Sequence, residues 1–332
     1  MRSFRYGRLA VATILTIFLG WPGAEPLAAS LDALADDGLY TWRIAATDDA
    51  PCWCCASWSA GTPVSRACNL DSRNVSYSTD EFPASGGEMQ IYVLIESGEA
   101  NRIRALSPEC TVTSRRDIVD LGVIEVDESV AWLKPIATSS KSLRTDALAA
   151  IAVHEGAAAL RLLVDTARTG RTTGLRKDAI FWMSQARIGE SAGELEEMMF
   201  RDENPEIRKH AAFALAQSSA KNRDDALIRQ GREDEDPEVR SKAWFWLAQT
   251  GAAESEEAIQ WAIANDPDGN LRREAVFAMS QLPGERGIDA LFAVLGDRRM
   301  DREVREQALF WLAQSDSDRA FEYLDRLLAA GQ

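Results

Sequence analysis

The groups able to do sulfur or imidazole chemistry are few and confined. Cys52, Cys54, Cys55, Cys68 and Cys110 fall in one segment near the N-terminus, and the C-terminal half has no cysteine. Four of them can make two disulfides with one thiol left over, and the sequence leaves the pairing open. Cys54 and Cys55 are not expected to bond to each other, because a bridge needs a Cα separation and side-chain direction that chain neighbours rarely reach. Metal binding at Cys52-Trp53-Cys54-Cys55 is the sharper alternative. Neither histidine is near, however, and the spacing is not that of paired Cys-x-x-Cys knuckles, so no metal site is assigned. The histidines are His154, followed by Glu155, and His210. No nucleophile with its base, phosphate loop or ligand cluster can be assembled from the pattern, so no catalytic residue and no cofactor is expected.

A second set of residues is notable for regularity rather than reactivity. From Arg176 the chain reads RKDAIFWMSQ, from Arg208 RKHAAFALAQ, from Arg240 RSKAWFWLAQ, from Arg272 RREAVFAMSQ and from Arg305 REQALFWLAQ. One period upstream, Arg144 opens RTDALAAIAV, which keeps the Arg and Ala but lacks the Phe and Gln, as a terminal repeat should. With the Arg as position 0 and 100° per residue, the residue before it, position 3 and position 7 cluster on one helix face. Positions 5 and 9 point away from that face. They are Phe181, Phe213, Phe245, Phe277 and Phe310, and Gln185, Gln217, Gln249, Gln281 and Gln314. Two readings stay open: an outward aromatic and amide ladder that binds a partner, or a row packed between neighbouring helices or under the N-terminal segment. Position 6 alternates as Trp182, Ala214, Trp246, Ala278 and Trp311, which suggests large and small core side chains interdigitating from layer to layer.

Two helices per period must carry these residues. Asn204, Asp236 and Asp266 are the expected N-caps of first helices, the first two followed by Glu one residue past a Pro and the third by Pro267. After a short polar break a second amphipathic helix follows, as over Ser255 to Ala264, Gly287 to Leu295 and Asp318 to Ala330. Neither helix can bury its apolar stripe alone, so six hairpins must stack. The pattern Asp-x-Asp-Pro-x-Val-Arg-x-x-Ala-x-x-x-Leu, nearly copied by Asp234 to Leu247, resembles the short HEAT repeats of the phycobilisome-lyase type, over residues 144 to about 330. The resemblance implies an α-solenoid and a protein partner. It also brings in deoxyhypusine hydroxylase, whose iron centre uses several His-Glu pairs; this chain has one, His154-Glu155, and His210 is not in an equivalent place. Lyase activity has no identifiable residues.

The rest of the chain reads differently. Arg2, Arg5 and Arg8, an apolar run from Leu9 to Leu19 and the small residues up to Ala29 follow the order of a secretory signal, so residues 1–29 are expected to be a leader and the protein exported, to a bacterial periplasm. The run is shorter than a membrane span, which favours cleavage over an uncleaved anchor, and no later segment is long enough to span. Residues 31–134 alternate in strand fashion over 39–46, 89–96, 102–107 and 119–126, with Glu96-Ser97-Gly98-Glu99 as a hairpin turn. So small a β domain needs its cysteines as staples. Residues 135–143, opened by Pro135, are expected to be a linker to the solenoid at 144–332. The fold class is thus α+β multidomain: a small acidic β-rich domain with disulfides, then an all-α solenoid.

The formal net charge of −15 falls to −17 once three Arg and one Glu of the leader are removed, which argues against nucleic acid. The expectation is a non-catalytic envelope scaffold that binds a protein partner. The alternatives are a thiol, lyase-like or hydroxylase-like enzyme, or a self-associating homo-oligomer that uses the Phe row.

Overall fold

The structure, a computed structural model, describes residues 30, 31, 34, 36–59, 62–65, 67–72, 76–78, 87–139 and 142–330. The expected leader, residues 1–29, lies outside the described residues. Strands come first: β1 (Gly38–Ala45), β2 (Cys54–Ser59), β3 (Thr62–Ser65), β4 (Cys68–Asn69), β5 (Ser76–Ser78), β6 (Glu88–Glu96), β7 (Glu99–Leu106), β8 (Val112–Thr113) and β9 (Ile118–Val123). The main sheet has the order β7-β6-β1-β9, with β9 parallel to β1 and the other pairs antiparallel. The β6–β7 turn puts Ser97 at φ 57° and Gly98 at φ 73°, the two left-handed residues that a tight hairpin requires.

Period-two alternation gives this sheet two different faces. Trp42, Ile44, Met89, Ile91, Val93 and Ile103 point into a core shared with the helices, whereas Leu39, Leu94 and Leu106 cover Cys54, Cys55, Cys68 and Cys110. The strand-rich part therefore shares one of its two cores with the helices and keeps the other, around the cysteines, to itself.

The helices are α1 (Val126–Ser139), α2 (Arg144–Val153), α3 (Ala157–Thr169), α4 (Thr173–Ala186), α5 (Ile188–Arg201), α6 (Pro205–Ala216), α7 (Arg223–Glu233), α8 (Pro237–Thr250), α9 (Ser255–Asn265), α10 (Gly269–Ser280), α11 (Glu285–Gly296), α12 (Arg302–Ala313) and α13 (Asp318–Ala330). From α2 onward they form the six expected hairpins. First helices α2, α4, α6, α8, α10 and α12 lie side by side along the stack, while the backbones of the second helices of neighbouring hairpins stand farther apart. A two-layer stack drawn together on one layer bends toward it, so the first helices line the concave face.

Residues 135–139 are helix, not linker. Pro135 lacks the N–H that would bond to the carbonyl four residues back, and a proline inside a helix costs about 3 kcal/mol. Val130, Leu133 and Ala137 are nevertheless buried at i, i+3 and i+7, and that tertiary packing holds α1 together through the proline. Helix α1 belongs to the junction. Trp42 of β1 packs edge-on against Trp132 at 5.8 Å, and its Nε1 donates to Ser129 Oγ at 2.9 Å.

The junction continues at the end of α2. Thr47 N donates to Val153 O at 3.0 Å and Glu155 N to Ala45 O at 2.9 Å, so β1 and α2 meet through their own backbones. The fully buried Arg187 guanidinium donates to the carbonyls of His154 and Gly156 and to the Glu190 carboxylate. Asp49, from the β domain, accepts from Gly189 N at 2.6 Å in the first turn of α5, where the helix dipole favours a carboxylate. A Cβ at residue 189 would lie 2.8 Å from that carboxylate, which is why a glycine stands there.

One N-cap expectation needs correcting. Asn204 and Asp236 cap α6 and α8 as expected, but α10 is capped by Asp268, which accepts from Asn270 N and Leu271 N at 2.8 and 3.0 Å. Pro267 suggested Asp266 as the cap. Asp266 is instead the repeat equivalent of Asp234 and receives Arg240, with both N···O distances 2.9 Å.

Candidate functional site: the concave aromatic ladder

Two rows of side chains run along the first helices, one rung per repeat. The first is closed. Arg176 pairs with Asp202, Arg208 with Asp234, Arg240 with Asp266 and Arg272 with Asp301, each arginine reaching the acid of the next turn. The same arginines turn back to the carbonyls of Ala167, Asp202, Asp234 and Asp266. These four arginines are each held by an acid and a carbonyl of the chain itself, so this row cements the stack.

The second row is the Phe and Gln set on the concave face. Phe181, Phe213, Phe245 and Phe277 are half-buried and Phe310 is 49% exposed; Gln217, Gln249 and Gln314 are exposed, Gln185 and Gln281 half-buried. The phenylalanines are therefore neither core nor free-standing. The position 6 tryptophans explain this, and they correct the sequence reading. Trp182, Trp246 and Trp311 are half-buried members of the concave row rather than interlayer core. Position 6 lies only 100° from position 5, so its ring swings over the flank onto the neighbouring phenylalanine.

The result is an unbroken chain of aromatic contacts. Trp53 meets Trp182 at 5.3 Å, Trp182 meets Phe181 at 5.0 Å, and Phe181 stacks on Phe213 at 6.4 Å. Phe213 meets Trp246 at 4.8 Å, Trp246 meets Phe245 at 4.8 Å, and Phe245 stacks on Phe277 at 5.7 Å. Phe277 meets Trp311 at 4.7 Å, and Trp311 meets Phe310 at 5.0 Å. All these separations are within the range of favourable offset or edge-to-face pairs. The alternation at position 6 sets the rhythm. Where it is Ala214 or Ala278, both buried, the flanking phenylalanines stack face to face; where it is Trp246 or Trp311, the indole wedges between them.

Beside the Phe213–Trp246 pair lies a shallow groove of about 480 Å³ rimmed by Lys177, Lys209, Lys242, Glu206, Glu238 and His210. The chain has six lysines, Lys134, Lys141, Lys177, Lys209, Lys221 and Lys242, and half of them stand here. Lys177 bonds Glu206 at 2.8 Å, Glu206 bonds Lys209 at 2.6 Å, and Lys209 bonds Glu238 at 2.7 Å, a zigzag across the repeats. Hydrogen bonds from Lys177 and then Lys209 hold the Glu206 pKa down to about 2. The sequence reading missed this rim, although Lys177 and Lys209 share position 1 of their repeats.

The histidines are committed elsewhere. His210 Nε2 donates to the Lys177 carbonyl at 2.9 Å, and burial lowers its pKa. His154 is fully buried, with Nδ1 2.7 Å from Ala150 O and Nε2 2.8 Å from Ser129 Oγ. A carbonyl can only accept, so Nδ1 carries the proton, Nε2 accepts from the Ser129 hydroxyl, and that oxygen in turn accepts from Trp42. Burial first, with Arg187 adding, brings the His154 pKa down to about 4. The His154-Glu155 pair thus secures the junction.

The cysteines pair as Cys54–Cys110 and Cys55–Cys68, with Cys52 in neither bridge. Adjacent Cys54 and Cys55 bond to different partners, as the geometric argument required. A concavity of about 970 Å³ lies between α5 and α7, and two of its arginines are engaged: Arg208 with Asp234, Arg229 with Glu196. Among the described residues no helix is long and apolar enough to cross a membrane.

A family model described as HEAT repeats matches residues 225–313, from α7 to the end of α12. No curated protein matches the chain. Similar solved structures include human deoxyhypusine hydroxylase in complex with glycerol, at 17% identity and TM-score 0.31, over 55% of this chain and 83% of that one. Another is the complex of CpcE and CpcF of phycocyanin lyase from Nostoc sp. PCC7120, at 21% identity and TM-score 0.31, over 57% of this chain and 76% of that one. With six hairpins repeating at the spacing of the motif arginines and the family's pattern matched across the later ones, the helical part of this chain is a HEAT-repeat solenoid.

Proposed function

We propose that this protein is a non-catalytic scaffold of the bacterial cell envelope that holds a polypeptide partner along its concave face. The observation that carries the reading is the aromatic row left half open on that face while Arg176, Arg208, Arg240 and Arg272 beside it are each paired with an aspartate. A HEAT-repeat fold is consistent with a protein-binding role. Half-exposed rings offer apolar area at low entropic cost, and the Gln amides beside them can give and take hydrogen bonds with a partner backbone.

The rhythm of the row favours an extended segment. First helices pack about 10 Å apart, so the two-repeat alternation of stacked and wedged rungs recurs about every 20 Å. An extended chain advances about 3.3 Å per residue, so that interval spans about six residues. Six is even, and side chains six apart in a strand face the same way. A partner strand with apolar residues at i and i+6 would present them to equivalent rungs.

Photo-crosslinking in the native host tests this. A photoreactive residue at Gln217 or Gln249 should give a discrete adduct, and the same residue at Glu257, on the second-helix side, should not. Adducts at Glu257 alone, or equally at all three, would remove the concave face as the binding site. An adduct with a second copy of the chain would convert the reading to self-association. Export has its own check: the mature protein should begin at Ser30.

A further inference from the structure

The two disulfides are not independent. Sγ of Cys68, from one bridge, lies 3.5 Å from Sγ of Cys110, from the other, and the sulfurs of Cys54, Cys68 and Cys110 all lie within 4.8 Å of one another. All four bridged cysteines are buried under Leu39, Leu94 and Leu106. We infer that this four-sulfur cluster is a thiol–disulfide exchange site in which two electrons from a dithiol are relayed between the bridges, leaving Cys68–Cys110 as the surviving disulfide and Cys54 and Cys55 as a vicinal dithiol.

One thiolate of the dithiol attacks Cys110 Sγ and displaces the Cys54 thiolate; the second thiol of the reductant displaces Cys110 and leaves as the oxidised disulfide. The Cys110 thiolate then attacks Cys68 Sγ, breaking the Cys55–Cys68 bond and forming Cys68–Cys110. The dithiol loses two electrons and two protons, and the protons finish on Cys54 and Cys55. If the other bridge opens first, the Cys68 thiolate attacks Cys110 and displaces Cys54, and the product is the same. Both routes converge because Cys68 and Cys110 are the two sulfurs in contact across the bridges.

Three further features support the convergence. Cys55 N–H points at Cys68 Sγ at 2.9 Å, and a donor aimed at sulfur favours its thiolate, the attacking form. Cys68 N donates to Thr111 O at 2.8 Å, and β4 pairs in parallel with β8, so the chain at Cys68 already runs beside the segment that follows Cys110. Cys110 also ends a tight turn, its N–H donating to Ser107 O at 3.0 Å, and with Cys55 it is among the less buried of the four sulfur-bearing residues. Cys52 is in neither bridge, and burial pushes its thiol up.

Two single variants of the full chain test the relay without added reductant. In Cys55→Ser, Cys68 is a thiol beside the Cys54–Cys110 bridge; in Cys54→Ser, Cys110 is a thiol beside Cys55–Cys68. Acid quenching, alkylation and peptide fragmentation between residues 54 and 55 should find Cys68–Cys110 as the major bridge in both, with Cys54 alkylated in the first and Cys55 in the second. Retention of Cys54–Cys110 in Cys55→Ser, with Cys68 alkylated, overturns the proposal. Should either variant misfold by circular dichroism, the wild type decides: after one equivalent of dithiothreitol under native conditions, the two-electron-reduced species must carry Cys68–Cys110. A species that keeps one native bridge refutes the relay.

Discussion

The arginine row and the aromatic row run along the same first helices with the same period, yet they are finished differently. Arg208 and Arg240 sit with their aspartates almost fully out of water, each guanidinium also bonded to a carbonyl. The phenylalanines and tryptophans cover one another only in part, and the row ends on Phe310, the most exposed of the five ladder phenylalanines. Regular spacing alone therefore does not mark a binding surface in a repeat protein, since every structural contact is also repeated. What separates the two rows is whether the chain satisfies its own groups.

The sharpest way to break that comparison is to open the closed row. Arg240→Ala leaves Asp266 buried among groups arranged for a cation, and removing one partner of a buried pair typically costs about 3–5 kcal/mol. Because each repeat is held only by its neighbours, the loss should divide the unfolding of the stack between the hairpins before and after α8. Urea unfolding followed by circular dichroism measures both effects. A loss under about 1 kcal/mol, within the range of ordinary surface pairs, would show that the row is not what cements the repeats.

The junction predicts a pH effect. His154 takes up a proton near pH 6.5 in the unfolded chain but only at about 4 when folded. Below pH 6.5 the unfolded state binds more protons, so the stability owed to the neutral, buried imidazole is complete above that pH and is lost as pH falls from 6.5 to about 4. The shift corresponds to a loss on the order of 3 kcal/mol by the bottom of the window. Carboxylates titrate there too, so the measurement is the difference between wild type and His154→Gln, which share them. Parallel stability curves for the two proteins between pH 6.5 and 4.5 would rule out His154 as the source.

The six hairpins, the two caps at Asn204 and Asp236 and the main strands were legible because each rests on a local signal: a helical stripe, a side chain before Pro, a period-two run. Three things were not. Helix α1 is hidden by Pro135, whose local penalty is outweighed only by burial that the sequence does not display. Asp268 was hidden by Pro267, which moved the cap signal by two residues, though the period from Asp236 points to 268. The place of Trp182, Trp246 and Trp311 was misjudged because a helical wheel gives direction but not reach. An indole on the flank is long enough to fold back over the outer face, so position 6 joined the ladder that position 5 began.

The aromatic row can be probed at its middle and at its end, where the comparison makes opposite demands. Phe245 is half-buried between Trp246 and Phe277, so Phe245→Ser removes two ring contacts and much of a buried side chain, at about 2 kcal/mol. Phe310 makes one ring contact among the described residues, with Trp311, and is half exposed, so Phe310→Ser should change stability by no more than about 0.5 kcal/mol, as for surface positions generally. If the row exists to be covered by a partner, its open end still matters to binding. The photo-adduct at Gln249 should then fall severalfold in Phe310→Ser while the unfolding curve stays in place. A Phe310→Ser protein that crosslinks as well as wild type would confine the binding surface to the inner rungs. Should the variant instead unfold as easily as Phe245→Ser, the aromatic row would be a second cement and the contrast with the arginine row would disappear.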